Sequence, residues 1–132
     1  MSKSIVKFSV IGLGYVGLAN ALVLAKYYQV IGFDQDTKKI QILKNKKSYI
    51  KEEGILNALN SDNIDFNITN KKELSYANSD YVIIATPTNY DPEKDFFDTS
   101  SVEDCIRDAL KFSPAHCLII IKSTIPIGFV EK

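Results

Sequence analysis

Residues 5–17 read Ile5-Val6-Lys7-Phe8-Ser9-Val10-Ile11-Gly12-Leu13-Gly14-Tyr15-Val16-Gly17, and this stretch decides the fold. Ile5 to Ile11 is rich in β-branched and aromatic residues and ends abruptly at Gly12, as a buried strand does. From Tyr15 to Tyr27 the run Val16, Leu18, Ala19, Leu22, Val23 and Ala25 suits a helix packed closely on a sheet. Val30 to Asp34 reads as a second strand. The glycine turn therefore sits between a strand and a helix, and an acidic residue closes the next strand. In that context G-x-G-x-x-G points to dinucleotide binding, whereas alone it would be an ordinary Gly-rich turn. Gly12 permits the tight turn, Gly14 gives a pyrophosphate room to approach the backbone, and Gly17 lets the helix pack against the sheet. The helix N-terminus then offers N–H groups and partial positive charge to phosphates.

Outward from this unit the pattern repeats. Asp36 is placed to cap a helix whose inward stripe is Ile40 and Leu43, and Glu52 to Leu59 forms a further short helix after a Lys-rich loop. Asp65 to Thr69 alternates as a strand, with Asn70 and Glu73 as a cap pair for a brief helix. Tyr81 to Ala85 is a continuous apolar run, expected to be covered on both faces. A long polar loop, Thr86 to Thr99, precedes a helix opened by a Ser100–Glu103 capping box, with Val102, Cys105, Ile106, Ala109 and Leu110 on its buried face. Cys117 to Ile121 is a further buried strand. Alternating strands and helices with buried strands predict an α/β fold: a doubly wound parallel sheet, Rossmann-like, with ligands at the carboxyl ends of the strands.

Composition sets the outer bounds. The chain has 132 residues, 45% hydrophobic, with 16 Lys+Arg balancing 16 Asp+Glu. That length suits one domain with a real core and excludes a disordered tail. Zero net charge excludes a nucleic-acid binder that works by bulk charge. The glycines interrupt the first apolar run before it could span a bilayer, so no membrane association is expected. Two cysteines make no disulfide framework and fit a reducing, cytoplasmic setting.

Three further groups bear on chemistry. Asp34 is placed to accept hydrogen bonds from the two hydroxyls of an adenosine ribose, and its charge, followed by Gln35 rather than Arg, favours NAD over NADP. Thr86, Pro87 and Thr88 stand where a dinucleotide would cross the sheet edge, although Thr-Pro-Thr also makes a plain turn. Thr124, in Lys122-Ser123-Thr124-Ile125-Pro126, is either a hydroxyl near the nicotinamide end or part of a strand-end turn. Cys105 and Cys117 read as small core hydrophobes without metal spacing, and His116 as a solvent-facing turn residue. Asp91, Glu93, Asp95 and Asp98, interrupted by Lys94, read as a solvated loop rather than a cation site, and no metal is expected. The lysines between Lys38 and Lys51 read as a solvated face, with Lys39 set apart.

VIGLGYVGLANALVLA, the strand end at Asp34, VIIATPTNY, FFDTSSV and IIIKSTIPIGF occur in one order along the chain. In these motifs the sequence resembles the N-terminal domain of the UDP-glucose and GDP-mannose dehydrogenases, the match to UDP-glucose 6-dehydrogenases being strongest. The resemblance implies that Val16 and the backbone around Gly12, Gly14, Tyr15 and Gly17 hold the pyrophosphate of NAD, and that Asp34 and Lys39 lie at the adenosine ribose. It further implies that Thr86, Pro87, Thr88 and Thr124 line the rest of the cofactor, Thr124 also positioning a catalytic water. The family oxidises a sugar C6 alcohol to a carboxylate with two NAD through a thioester on a cysteine. The expectation is that residues 1–132 form the N-terminal dinucleotide-binding domain, without the linking helix, the UDP-sugar-binding domain or that cysteine. UDP-glucose is the expected partner of a full-length homo-oligomer serving polysaccharide precursor synthesis. Ser48-Tyr49-Ile50-Lys51-Glu52 departs from the family's usual Ser-Pro pair and acidic residue. Alternatives are a dehydrogenase of another nucleotide sugar (GDP-mannose or UDP-N-acetylmannosamine), a methyltransferase, against which the full glycine spacing argues, and a stand-alone NAD-sensing module.

Overall fold

A computed structural model describes residues 6–48, 53–61, 64–86, 89–91, 96–98 and 100–122. Its main sheet has five strands, all parallel, in the order β3-β2-β1-β4-β7. These are β1 (Lys7–Ile11), β2 (Gln29–Phe33), β3 (Phe66–Thr69), β4 (Tyr81–Ile84) and β7 (Leu118–Ile121). This is the strand order of a doubly wound nucleotide-binding sheet through its fifth strand.

Side chains alternate across each strand, and the alternation builds two cores. Val10, Val30 and Ile83 face α1 (Tyr15–Ala25), α2 (Thr37–Lys44) and α3 (Glu53–Leu59), meeting Leu18, Leu22, Ile40, Leu43 and Leu59. Ile11, Phe33, Val82 and Ile84 face the other way, against Tyr76 of α4 (Lys72–Tyr76) and Val102, Cys105 and Ala109 of α5 (Ser100–Phe112). Burial on both faces is why these strands read as continuous apolar runs. Ser9 is the buried polar exception within β1. Fully buried, its hydroxyl donates to the carbonyl of Ser75 and meets the hydroxyl of Ser79, so α4 is tied to the sheet by satisfied polar groups.

Several local expectations hold and several are corrected. The Asp36 side chain accepts from the Lys38 N–H at 3.0 Å, the cap expected for α2. Asn70 does not cap α4. The helix starts after Lys71, whose N–H donates to Thr69 Oγ1 at 3.0 Å, because the threonine ending β3 reaches the turn first. The segment 86–99 contains an antiparallel pair, β5 (Asn89–Asp91) with β6 (Phe96–Asp98), where the composition predicts a plain loop. Leu110 is 74% exposed, so the buried stripe of α5 is narrower than the spacing suggested. β7 is half-buried rather than buried, and Leu118 is exposed, because among the described residues β7 pairs with β4 alone.

At the amino ends of the strands, remote from the glycine turn, Asp80 joins three segments. Its Oδ2 accepts from the Lys7 N–H at 2.9 Å, its Oδ1 lies 2.8 Å from His116 Nε2, and its own carbonyl accepts from the Leu118 N–H. The Lys7 N–H first, and His116 second, hold the carboxyl below the usual aspartate range. A carboxyl depressed in the fold stabilises it fully above the unfolded pKa and ceases to do so as pH falls through the folded value. Asp80→Asn is therefore expected to lower the melting temperature at pH 7, with the gap from wild type closing below about pH 4. Melting curves from pH 3 to 7 check this; a gap independent of pH would dissociate the carboxylate from the effect.

Candidate functional site

The glycine turn lies at the carboxyl end of β1, between β2 and β4, where the chain connections pass to opposite faces of the sheet. Gly12 has φ +95°, a conformation that side chains resist, and a Cβ there would stand 2.9 Å from the Ala85 carbonyl group and the Thr86 nitrogen. Gly17 is more tightly constrained. Its Cβ would fall 1.8 Å from the Gly12 carbonyl oxygen, so the helix's first turn rests on the glycine turn itself more than on the sheet. Around Gly14 nothing lies within 4 Å of a Cβ position. Packing does not demand a glycine there, and the space is open to a ligand.

That space adjoins a helix end suited to anions. Gly14 is the N-cap of α1, it gives no side-chain cap, and the first turn carries no acidic residue. The first N–H groups of any helix have no partner inside it, and its dipole is positive at this end. Tyr15 and Val16 stand exposed on this turn at 56% and 47%.

Asp34, directly after β2, braces the turn from the side. Its Oδ2 accepts from the Leu13 N–H at 2.9 Å and its Oδ1 from the Asp36 N–H at 2.9 Å. Each carboxylate oxygen keeps a second acceptor site, enough for a pair of vicinal hydroxyls. Lys39 is half-buried in the first turn of α2, just beyond. Thr86 follows β4, its Oγ1 3.3 Å from the Ser101 hydroxyl that donates to it. Gly12, Gly14, Tyr15, Val16, Gly17, Asp34 and Thr86 thus gather at one end of the sheet. Pro87, Thr88 and Thr124 lie outside the described residues, as do Glu93 and Asp95.

Beside Asp34 opens a cleft of about 290 Å³ between β2, α4 and α5. Its floor is the buried Ile11, Phe33, Tyr76 and Cys105, and its rim carries Gln35, Lys72, Ser101, Asp104 and Asp108. Apart from Cys105, read as core, and Gln35, noted beside Asp34, these residues carry no local signal of a cleft, because α4 and α5 bring them together only in the fold. Burial, then the neighbouring Cys105 and Asp108, pushes the Tyr76 phenol up; burial and Asp108 push the Cys105 thiol up. Burial does the same to the half-buried Cys117. Floor and thiols are therefore neutral at physiological pH, which matches Cys105 as a core residue and leaves neither thiol activated as a nucleophile. Among the described residues no group of three or more His, Cys, Asp or Glu is placed to hold a metal ion, and no helix is long and apolar enough to cross a membrane.

Residues 6–132 match the NAD binding domain of the UDP-glucose/GDP-mannose dehydrogenase family. The chain belongs to this family. Among curated relatives, the UDP-glucose 6-dehydrogenase of Campylobacter jejuni is 39% identical over 127 residues, covering 95% of this chain and 32% of its own. The UDP-N-acetyl-D-mannosamine dehydrogenase of Methanococcus vannielii is 38% identical over 138 residues, covering 98% and 31%. Among solved structures, the UDP-D-ManNAc dehydrogenase of Pyrococcus horikoshii superposes with a TM-score of 0.86 at 30% identity, over 95% of this chain and 30% of that one. The chain spans about a third of the length of the curated relatives it matches. As an NAD-binding domain of nucleotide-sugar dehydrogenases it takes NAD as its cofactor, and the open space at Gly14, the bare helix end and the acceptor sites of Asp34 fit that molecule's pyrophosphate and ribose.

The glycine geometry separates two roles. Gly17→Ala is expected to destabilise the fold by about 3 kcal/mol, at the upper end of overpacking costs, since a backbone oxygen cannot swing away. Gly14→Ala is expected to leave stability within about 0.5 kcal/mol. Denaturant unfolding of the two variants beside wild type measures the difference.

Proposed function

We propose that this chain is the N-terminal, cofactor-binding part of a UDP-glucose 6-dehydrogenase, which oxidises the C6 alcohol of UDP-glucose to the carboxylate with two NAD. The observation that carries the cofactor role is the Asp34 carboxylate, anchored through both oxygens by backbone N–H groups at the mouth of the cleft and beside the open Gly14. In this reading Asp34 accepts from both hydroxyls of the adenosine ribose, with Lys39 close by, and the α1 N-terminus at Gly14, Tyr15 and Val16 holds the pyrophosphate. Gly12 and Gly17 keep the turn flat enough for it. Thr86, Pro87, Thr88 and Thr124 serve the strand-end side of the cofactor, Thr124 orienting water or substrate oxygen. Bound NAD supplies a hydride acceptor; this chain's residues bind and orient it.

Oxidation through a thioester needs a thiolate and a base within bonding reach of the sugar. Cys105 lies buried against Tyr76 and Cys117 sits remote from the glycine turn, so the catalytic cysteine belongs to a further part of the enzyme, together with the UDP-sugar domain and the contacts of a homo-oligomer. The reading places the enzyme in the cytoplasm, serving polysaccharide precursor synthesis. UDP-glucose is favoured by the 39% identity to UDP-glucose 6-dehydrogenases of two bacteria and by the ATPTNY and FFDTSSV motifs. The 38% identity to a UDP-N-acetyl-D-mannosamine dehydrogenase supports that sugar nucleotide as the second reading.

Two measurements test this. Wild type is expected to bind NAD more tightly than NADP, and Asp34→Ala to remove most of the difference, because it deletes both the ribose hydrogen bonds, about 1.5–3 kcal/mol each when charge-assisted, and the repulsion of a 2′-phosphate. Equal affinities in wild type would refute the role given to Asp34. In the second, NADH formation by the whole enzyme is followed at 340 nm with UDP-glucose, UDP-N-acetylmannosamine and GDP-mannose. Fastest turnover is expected with UDP-glucose, and none from residues 1–132 alone; turnover with another of the three instead would reassign the substrate.

A further inference from the structure

The cleft beside Asp34 is bordered, among the described residues, by one ion pair both of whose partners line it. Lys72 Nζ lies 3.3 Å from Asp108 Oδ2, joining the start of α4 to the third turn of α5. The other acid of the rim, Asp104, turns outward to Arg107 at 2.8 Å and is mostly exposed, whereas only 22% of the Asp108 side chain is exposed. Asp108 and Lys72 act electrostatically on the Cys105 thiol in opposite directions, and all three residues line the cleft. The remainder of the floor is uncharged: Ile11, Phe33 and a Tyr76 phenol held protonated, its hydroxyl directed to the Cys105 carbonyl.

A volume of about 290 Å³ is small for a whole dinucleotide and suits one of its ends. An apolar floor takes the face of a planar base. The rim must then meet its polar edge. An ammonium beside a carboxylate is a fixed donor next to a fixed acceptor. Asp108 Oδ2 engages Lys72, and Oδ1 keeps its capacity to accept. The complement of such a pair is a base edge with a donor next to an acceptor, as in the 6-amino group and N1 of adenine.

We infer that Lys72 and Asp108 read the base of the cofactor and select a 6-aminopurine, Asp108 accepting from the exocyclic amino group and Lys72 donating to N1. The inference rests on the NAD-binding reading, with the ribose at Asp34 directing the base into the cleft. It makes a specific demand on a 6-oxopurine. Held in the same place, hypoxanthine turns an acceptor toward the Asp108 carboxylate and an N–H toward the Lys72 ammonium, so both contacts become repulsive. Replacing Asp108 by asparagine changes this, because an amide offers either an acceptor or a donor at that position.

The test compares binding of NAD and of nicotinamide hypoxanthine dinucleotide to the protein by calorimetry, for wild type, Asp108→Asn, Lys72→Met and Asp34→Ala, with melting temperatures taken on the same samples. Wild type is expected to prefer NAD by about tenfold, that is about 1.4 kcal/mol. In Asp108→Asn and in Lys72→Met the ratio is expected to fall toward one. Lys72 is half-exposed and its replacement keeps the apolar stem, so this variant answers even if Asp108→Asn unfolds. Equal binding of the two dinucleotides by wild type, or a tenfold ratio that survives in both variants, would overturn the inference while leaving NAD binding intact. Parallel weakening of both dinucleotides at an unchanged ratio would also overturn it, since a structural ion pair would act in that way. Absence of NAD binding in wild type, or its indifference to Asp34→Ala, would instead remove the reading beneath it, and the inference with it.

Discussion

A single carboxylate fixes the relation between two separated parts of the chain. Asp34 accepts from Leu13 in the glycine turn and from Asp36 ahead of α2, while the Gly12 N–H donates to the Phe33 carbonyl at 2.8 Å. The turn is thus held against the end of β2 by side chain and backbone together. On its other flank, Gly17 lies against the Gly12 carbonyl and Gly12 against Ala85 and Thr86, so closely that neither glycine tolerates a side chain. The start of α1 has one position open to it, and the cleft, the helix end and the ends of β1, β2 and β4 all take their places from that constraint. Charge-assisted bonds to a carboxylate are strong, and two of them to rigid backbone leave the side chain little freedom. A ribose arriving at Asp34 would meet acceptors already aimed.

The same arithmetic explains what was readable in the residues. The strand–glycine–helix unit, Asp34 and the Asp36 cap are local: period, turn chemistry and spacing each act within a few residues, and they agree. The parallel sheet followed from the apolar runs at Tyr81–Ile84 and Val30–Phe33, which a one-sided sheet would have broken with polar residues. Ala109 and Leu110 both fit a wide helical stripe in the sequence, and only the packing of α5 shows that of the two Ala109 alone is covered. The β5–β6 pair hid behind a stretch of Asp, Pro, Glu and Lys whose composition belongs to loops.

Other features exist only once the chain has folded. Asp80 meets His116 and the Lys7 N–H from three different segments, and Lys72 meets Asp108 from two helices. No spacing rule brings such pairs together in a sequence. Asp34 itself was legible as a ligand acceptor but not as the brace of the glycine turn, since that second role depends on which N–H the fold turns toward it. The site's motif was therefore visible, while the cleft beside it was not.

The position of β7 has a consequence for how such a domain can be built upon. It lies two strands away from β1, with Leu118 uncovered and its outer side unpaired among the described residues. Exposed edges of this kind accept further strands. Material added there extends the sheet away from Asp34 and the cleft, so growth at that margin leaves the glycine turn's supports untouched. The architecture is modular in one direction, and relatives about three times as long can share this end of the molecule without altering the contacts that shape it.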